Sequence, residues 1–364
     1  MRKVGNTYLT EKVLASPKSS SRASASSVHL SALFLGISSV IFTAYGLVQG
    51  NTLRYTVLHT AEFFLRSVFP TLFPFMLASG LLIRCGAGKL CKRLLSPVFY
   101  RVFGISGSLA SAFILGAIAG FPIGARAVCE LFEKGECSRK EAEAALALCS
   151  NPGVGFTVAG VGALMWSDTR IGVMLWLSCL LSTVAVGWIT KPRTGIFRAF
   201  TEQISIAEEK KSDISAIVAE TVTESARSAL NICSFMIFFR LASVFLTELI
   251  TALPFLSVPA VSRMITALLT AILEFSTGCS ALSSPELSQS FSAVLSPVRS
   301  SVLCGALTAA TLAWSGISVH LQTASFALPL RLSMKKYYTS KALTAVCSFM
   351  IFWVFSAFFP IFFH

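Results

Sequence analysis

Charged residues are scarce in this sequence of 364 residues. Asp, Glu, Lys and Arg make up 13% of it, 54% is hydrophobic, and the mean hydropathy is +0.72. A soluble domain carries about 25% charged residues, and a single core cannot hide this much apolar surface from water. The scarcity of charge excludes an ordinary soluble fold and predicts that a lipid bilayer surrounds the outer face of the protein.

Motifs for metals, disulfides and nucleotides are missing as well. The ten cysteines include no CxxC pair and the four histidines show no zinc-ligand spacing, so we expect no metal, disulfide framework or cofactor. The absence of a P-loop, a GxGxxG after a strand and a GxSxG argues against an ATP-hydrolysing pump within this chain. No convergent set of catalytic residues is visible, and we predict that the protein is not an enzyme.

Basic residues, 30 against 17 acidic ones, lie in short clusters between apolar runs. This pattern is typical of the positive-inside rule, so we interpret the clusters as topology signals and expect no nucleic-acid partner. We place three of them in the cytosol: the loop 84–101, the segment 191–211, and the group Arg331, Lys335, Lys336 and Lys341.

Apolar runs of about 20 residues divide the chain into membrane and non-membrane parts. We predict a disordered cytosolic tail at 1–28, a first transmembrane half at 29–190, a cytosolic linker or amphipathic segment at 191–228 and a second transmembrane half at 229–364. The fold class is therefore all-α, a polytopic transmembrane helical bundle with two pseudo-symmetric, inverted halves and broken or re-entrant helices.

Two shorter stretches are amphipathic. The first, Tyr55 to Arg66, either lies along the membrane interface or extends the helix that follows it. The second, Glu130 to Glu143, is predicted to be a solvated helix-turn-helix in which Ser138 is the N-cap and Glu141 completes a capping box.

The distribution of charge conflicts with a bundle made only of full crossings. The loops 84–101 and 191–211 carry five basic residues each, which places both in the cytosol. Three apolar segments lie between them, and three full crossings would put the loops on opposite sides. At least one segment must therefore be re-entrant or a half-helix.

Four Gly- or Pro-containing interruptions supply the candidates. They are Gly120–Gly124, Ser150–Gly153, Phe275–Gly278 and Ser315–Ser318. Irregular backbone at membrane depth occurs where it is buried in protein or lines a polar cavity, and paired interruptions in two halves mark transporter binding sites. The alternative is that they are helix-packing glycines and kink prolines.

Candidate substrate-binding residues lie in or beside these interruptions. They are Gly120, Pro122, Gly124, Arg126, Asn151, Glu274, Ser276, Thr277, Gly278, Ser315, His320 and Gln322. Glu274 is the sharpest case, because a carboxylate in an apolar run costs about 3 kcal/mol or more unless it is paired or hydrated. It serves either in substrate binding or proton coupling, or as a structural hydrogen bond to a neighbouring helix.

The other polar candidates also have two readings. Arg126 either clamps an anionic substrate or anchors the chain at the interface. Asn151 either bonds substrate or caps the half-helix that follows it. His320 and Gln322 either contribute to a site or make packing contacts and interhelical hydrogen bonds.

The stretch GFPIGARAVCELFEKGECSRKEAEAALALCSNPGVGF, together with TLFPFMLASGLL, LEFSTGC and WSGISVHLQT, resembles the YlbJ-type sporulation integral membrane proteins. The similarity covers roughly residues 60 to 330, and this family belongs with the nucleoside-recognition, or Gate, domain proteins. The Ser-rich tail is not part of the family pattern.

The resemblance implies a role in endospore formation, in the membrane around the forespore. Family members are linked to moving dipicolinate, a small aromatic dianion, and the Gate label suggests nucleosides as another substrate class. The leading hypothesis is a permease for a small anionic or aromatic solute, with the N-terminus in the cytosol. The alternative is a non-transporting scaffold for spore-envelope (cortex) assembly. The expected partners are the lipid bilayer, the solute, and a second copy of the chain or other sporulation membrane proteins.

Overall fold

The computed structural model describes residues 21–192, 213–252, 258–292 and 295–358. These residues form helices and connecting turns without a strand, which confirms the all-α class. The predicted tail up to residue 20, most of the predicted linker and the end of the predicted last span lie outside the described residues.

The helices before the linker include three π-helical segments. In chain order they are α1 (Ser21–Val48), α2 (Gly50–Phe63), a π-segment (Phe64–Val68), α3 (Phe69–Leu82), a π-segment (Ile83–Ala87), α4 (Gly88–Phe103), α5 (Leu109–Ala119), α6 (Ile123–Glu133), α7 (Arg139–Cys149), a π-segment (Gly155–Met165) and α8 (Thr169–Ile189).

The helices after the linker alternate between long and short. They are α9 (Ile214–Thr251), α10 (Pro259–Leu273), α11 (Phe275–Leu282), α12 (Pro285–Ser292), α13 (Pro297–Trp314), α14 (Gly316–Ala327) and α15 (Lys335–Phe358).

Five helical runs among the described residues are long and apolar enough to cross a bilayer. They are Gly50–Gly86, Thr169–Ile189, Ile214–Thr251, Pro297–Ala327 and Lys335–Phe358. This confirms a polytopic helical membrane bundle, while the pseudo-symmetry of its halves stays a prediction. In the first run the amphipathic stretch at 55–66 extends the helix, which is one of the two alternatives left open by the sequence.

Two boundaries differ from the sequence expectation. The chain divides into compact units at 1–55 and 56–364, so both predicted halves contribute to the second unit. The helix α9 begins at Ile214, inside the stretch predicted to be a linker or an amphipathic segment, and continues into the second predicted half. The loop expected at 84–101 is largely helix α4, because Phe99 and Phe103, four residues apart, are buried with their ring centroids 5.2 Å from each other.

Helix α13 lies at the centre of the second unit. Within the run Pro297–Ala327, 67% of the most apolar stretch is buried, against 28% for the corresponding stretches of α9 and α15. Small and polar side chains join α13 to its neighbours. Ser348 Oγ on α15 donates to Ala309 O at 3.2 Å, and Cys179 Sγ on α8 lies 3.5 Å from the same hydroxyl. Such interfaces of small residues are typical of helix packing within membranes.

The chain reverses direction between α5 and α6. Gly116 and Gly124 lie four residues before and four residues after Gly120, where the chain turns. They are so close together that a Cβ on Gly116 would be 3.4 Å from the Cα of Gly124. Both glycines also contact the carbonyl of Cys149. The two helices have only 11 residues each, too few to span a bilayer. A hairpin of short helices here agrees with the re-entrant or half-helical segment that the charge pattern requires.

The predicted helix-turn-helix is present and capped as expected. Ser138 Oγ accepts from Glu141 N at 3.4 Å, and Glu141 Oε2 accepts from Ser138 N at 2.8 Å. The second carboxylate oxygen of Glu141 accepts from Ser106 N at 2.8 Å. The capping box therefore also fixes the turn before α5 against the start of α7.

Ser138→Ala is expected to lower the free energy of unfolding by about 1 kcal/mol, because it removes an N-cap acceptor. The midpoint can be measured with a thiol-reactive fluorogenic maleimide once the exposed and partly exposed cysteines of the folded protein have been blocked. Burial raises the pKa of Cys129 and Cys137 to about 12 and keeps both thiols unreactive until the chain unfolds. Lys140→Ala, an exposed change in the same turn, is the control. Equal midpoints for the two variants would contradict the capping role.

Candidate functional site

The two breaks of the first half contact each other through their backbones. Helix α5 ends at Ala119, Gly120 has φ 87°, the Phe121–Pro122 peptide bond is cis, and α6 begins at Ile123. The second break follows Cys149, the last residue of α7. A Cβ on Gly120 would lie 2.7 Å from Gly153 N, so the two chain segments approach more closely than any side chain would allow.

The second half contains a similar pair, although its breaks are shorter than predicted. Only Glu274 interrupts α10 and α11, with φ −141° and ψ 117°, whereas the predicted break residues 275–278 form the first turn of α11. Between α13 and α14 the change of direction occurs at Ser315, with φ 77°, and Gly316, with φ 76°. The predicted break residues Ile317 and Ser318 are helical. A Cβ on Gly316 would lie 3.0 Å from Phe275 N, so these two breaks also touch.

The two pairs meet at a point that we call the break junction, defined by Gly120, Phe121, Gly153, Phe275 and Gly316. The rings of Phe121 and Phe275 are edge to face with centroids 4.7 Å apart, and Phe156 approaches Phe275 at 5.4 Å. A small cavity of about 10 Å³ lies here. It is lined by Leu72, Gly120, Phe121, Pro152, Gly153, Phe156, Ile232, Phe275, Val319 and Gln322. Four interruptions separated by up to 195 positions in the chain, from Gly120 to Ser315, thus converge on one buried place.

Glu274 is fully buried and is the N-cap of α11. Its Oε1 accepts from Ser276 N at 3.1 Å. Its Oε2 accepts from Ser276 Oγ at 2.7 Å, Thr277 N at 2.7 Å and Thr277 Oγ1 at 2.8 Å. The free N–H groups of this half-helix are therefore satisfied by the protein's own carboxylate. Ser276 and Thr277 bind Glu274, while Gly278 packs against Ala271 of α10.

Asn151 and Gln322 are buried amides next to the junction. Asn151 Nδ2 donates to Leu148 O at 2.7 Å, so this side chain caps the end of α7 and not the start of the segment that follows. Gln322 lines the junction cavity. The oxygens Asn151 Oδ1 and Gln322 Oε1 have no hydrogen-bond partner among the described residues. Buried amide oxygens without partners are uncommon in proteins, and each needs an explanation such as a bound ligand or water.

His320 lies in an aromatic setting away from the cavity lining. Its Nδ1 is 3.0 Å from Tyr337 Oη, and Tyr337 Oη donates to Thr323 Oγ1 at 3.4 Å. The Trp314 ring packs edge to face on the imidazole with centroids 4.3 Å apart. These contacts favour the packing reading of His320, and a role in binding stays a prediction.

Arg126 does not line the junction cavity. It lines a second, charged cavity of about 360 Å³ between α3, α5, α6 and α9. Its Nε is 2.9 Å from Glu130 Oε1 and its guanidinium is 3.9 Å from Glu224. Arg84 pairs with Glu224 at 3.0 Å and with Glu220 at 2.7 Å. The side chain of Arg126 is 40% exposed, so any clamp it provides acts in this cavity and not at the break junction.

The two cavities follow each other along the same pair of helices. On α3, Leu72 lines the junction cavity and Met76 the charged one; on α9, Ile232 lines the first and Ser228 the second. Positions four residues apart are separated by about one helical turn. The charged cavity therefore starts about one turn from the junction.

The structure brings a residue to the junction that the sequence analysis assigned elsewhere. Lys341 was placed with the cytosolic basic cluster, yet its side chain is only 1% exposed. Its Nζ donates to Ser150 O in the second break at 2.9 Å and lies 5.9 Å from the ring centroid of Phe121 in the first break. It is therefore a buried lysine between the two breaks of the first half.

Comparison with known proteins gives one informative relative. The chain is 25% identical over 307 residues to the sporulation integral membrane protein YlbJ of Bacillus subtilis (strain 168), a similarity that covers 77% of this chain and 71% of the relative. No family model and no solved structure matches the chain. The relative supports the membrane location and the link to sporulation, while the predicted relation to nucleoside-recognition domains stays a prediction.

A periodic signal for Lys341 was present in the sequence. The buried positions of α15 include Tyr337, Lys341, Thr344, Ser348 and Phe352, which recur at the spacing of one helix face. Lys335 and Lys336 fall outside this stripe and are exposed. The position of Lys341 on the buried face of the helix therefore distinguishes it from the other lysines of its cluster. A count of basic residues alone does not make this distinction.

Proposed function

We propose that this chain is a membrane permease for a small anionic or aromatic solute, and that the solute binds at the break junction. The convergence of four helix breaks on one buried point carries this proposal. Irregular backbone at membrane depth is costly, and secondary transporters use it where half-helices surround a solute. A buried lysine and two amides with unpartnered oxygens lie at or beside the junction, and three phenylalanine rings line it.

The similarity to a sporulation protein favours a solute that moves during endospore formation. We propose dipicolinate, and we place the protein in the membrane around the forespore. A flat aromatic dianion suits a site that combines Lys341 with the rings of Phe121, Phe156 and Phe275. The charged cavity has a volume within the range of small-molecule sites, and we propose that it is the route by which the solute reaches the junction.

A non-transporting scaffold for the spore envelope is the second candidate. Two observations favour it: the junction cavity holds about one water molecule, and the Glu274 carboxylate is already satisfied by its own helix. A scaffold needs no opening of the junction. A permease requires a second conformation in which the solute reaches it.

Uptake into proteoliposomes separates these candidates. We expect purified protein to carry dipicolinate into vesicles faster than protein-free vesicles do, with uridine as the nucleoside comparison. Uptake of uridine alone would support the nucleoside reading. No uptake of either solute by folded protein would favour the scaffold.

Two variants test the site assignment in the same assay. Glu274→Gln replaces one acceptor oxygen with a donor in the first turn of α11, and we expect uptake to fall about tenfold. Arg126→Ala removes a cation from the charged cavity, and we expect about a twofold to tenfold slower uptake at low salt. Amounts are normalised to the monodisperse fraction. Unchanged uptake in both variants would contradict the assignment.

A further inference from the structure

Lys341 is a fully buried lysine with no opposing carboxylate. Its one hydrogen bond within the described part of the chain goes to a neutral carbonyl, Ser150 O. The ion pairs among these residues involve other cations. An ammonium has three N–H donors, and taking it out of water without a counter-charge costs several kcal/mol.

The structural explanation for Lys341 is that its hydrogen bond to Ser150 O holds the second break of the first half in place. A neutral donor would serve that purpose, since one N–H to Ser150 O is all the contact requires. Buried charges are generally paired, and the loss of water around an unpaired amine disfavours its charged form. A buried lysine without a carboxylate partner is therefore a feature that an anionic ligand, which would hold the amine in its charged form, explains better than packing does.

The surroundings of Lys341 define the ligand. The ammonium lies 5.9 Å from the Phe121 ring centroid, and Phe121 shares the junction cavity with Phe156 and Phe275. Gln322 lines the same cavity, and Asn151 is the neighbour in sequence of Ser150. One amine and three flat apolar walls match a small planar acid whose carboxylate reaches the Lys341 amine while its ring lies against the phenylalanines.

We propose that Lys341 is the anion-binding group of the break junction and that it takes the carboxylate of a small aromatic acid. This inference rests on the proposed function, which it deepens by naming the recognition element. The cavity of about 10 Å³ is too small for such a molecule, so binding occurs when the two break pairs move apart. The carboxylate then neutralises Lys341, and the ring lies against the phenylalanines.

Binding and uptake measured together test the inference. The full chain in lipid nanodiscs is titrated with dipicolinate and with dipicolinamide, its uncharged analogue of the same shape. We expect dipicolinate alone to bind, and Lys341→Met to weaken it by about tenfold to a hundredfold. Lys336→Met, an exposed lysine five residues earlier on the same helix, is the matched control and should bind as the wild type does. Lys341→Arg should retain part of the affinity, because it keeps the charge.

Thermal unfolding without ligand provides a second readout. We expect Lys341→Met to be at least as stable as the wild type, since it relieves the desolvation cost of a buried amine. The inference would be overturned if Lys341→Met clearly loses stability while dipicolinate binding is unchanged in Lys341→Arg and in the folded Met variant. That combination would show that Lys341 has a purely structural role.

The outcomes separate the two proposals. Uptake that is insensitive to Lys341→Met would overturn the anion site and leave the permease intact. Binding that depends on Lys341 without uptake would support the anion site and overturn the permease. Equal binding of dipicolinate and dipicolinamide would overturn recognition by charge, and binding of neither would overturn the inference whatever the uptake assay shows.

Discussion

Gly120→Ala is expected to lower the free energy of unfolding by about 2–5 kcal/mol, because two costs add at this position. Gly120 has φ 87° and ψ −177°, a combination that is essentially restricted to glycine. An added Cβ would also lie 2.7 Å from Gly153 N, and this backbone cannot move without shifting the second break. The variant should unfold well below the wild-type temperature in the maleimide assay.

Gly135→Ala is the matched control for this prediction. Gly135 also has a positive φ, 73°, but a Cβ there would meet nothing within 4 Å. It therefore isolates the backbone cost, which we expect to be about 1 kcal/mol. If the two variants lose the same stability, the close contact between the first two breaks is absent in the folded protein.

Glu274→Ala is expected to cost about 3–5 kcal/mol, since the buried N–H groups of Ser276 and Thr277 lose their acceptor. The four hydrogen bonds to this carboxylate also hold the start of α11 against Gly316. Glu274→Gln keeps one acceptor oxygen and should cost about 1–2 kcal/mol. Unfolding midpoints for both variants, measured in the same detergent, give the comparison.

A partly exposed N-cap provides the reference for Glu274. Asp168 caps α8 by accepting from Arg170 N at 2.8 Å, and its side chain is 21% exposed. Asp168→Ala should cost about 1 kcal/mol, because water replaces the lost acceptor there. A Glu274→Ala variant no less stable than Asp168→Ala would mean that Glu274 is hydrated, and its proposed role as a buried cap would be wrong.

Much of the fold was visible in the sequence because its signals are local. Low charge and long apolar runs predicted the helical membrane bundle, and Ser138 with Glu141 predicted the capping box that the structure contains. The breaks at Gly120 and Ser150 were located correctly, since glycine, asparagine and proline disfavour helix wherever they cluster.

The errors come from long-range packing. The third break was expected at 275–278 but occurs at Glu274, because the carboxylate itself caps a new helix. Arg126 was expected beside the first break, yet its partners are Glu130 and Glu224, and Glu224 lies 98 positions away in the chain. Lys341 was read as a topology signal, although the carbonyl it binds, Ser150 O, belongs to the other predicted half. No local pattern reports such contacts.

The way the break pairs touch indicates where the bundle can part most easily. Within each pair the contact is main chain against main chain, Gly120 on Gly153 and Gly316 on Phe275, where a displacement disturbs tightly fitted peptide groups. Between the pairs, Phe121, Phe156 and Phe275 meet as rings, and each ring pair contributes about 1 kcal/mol beyond its burial. The aromatic interface between the two break pairs is thus easier to separate than the backbone contacts within each pair. Separation at this interface would expose three phenylalanine rings together, and a flat solute could replace the contacts that the rings make with one another.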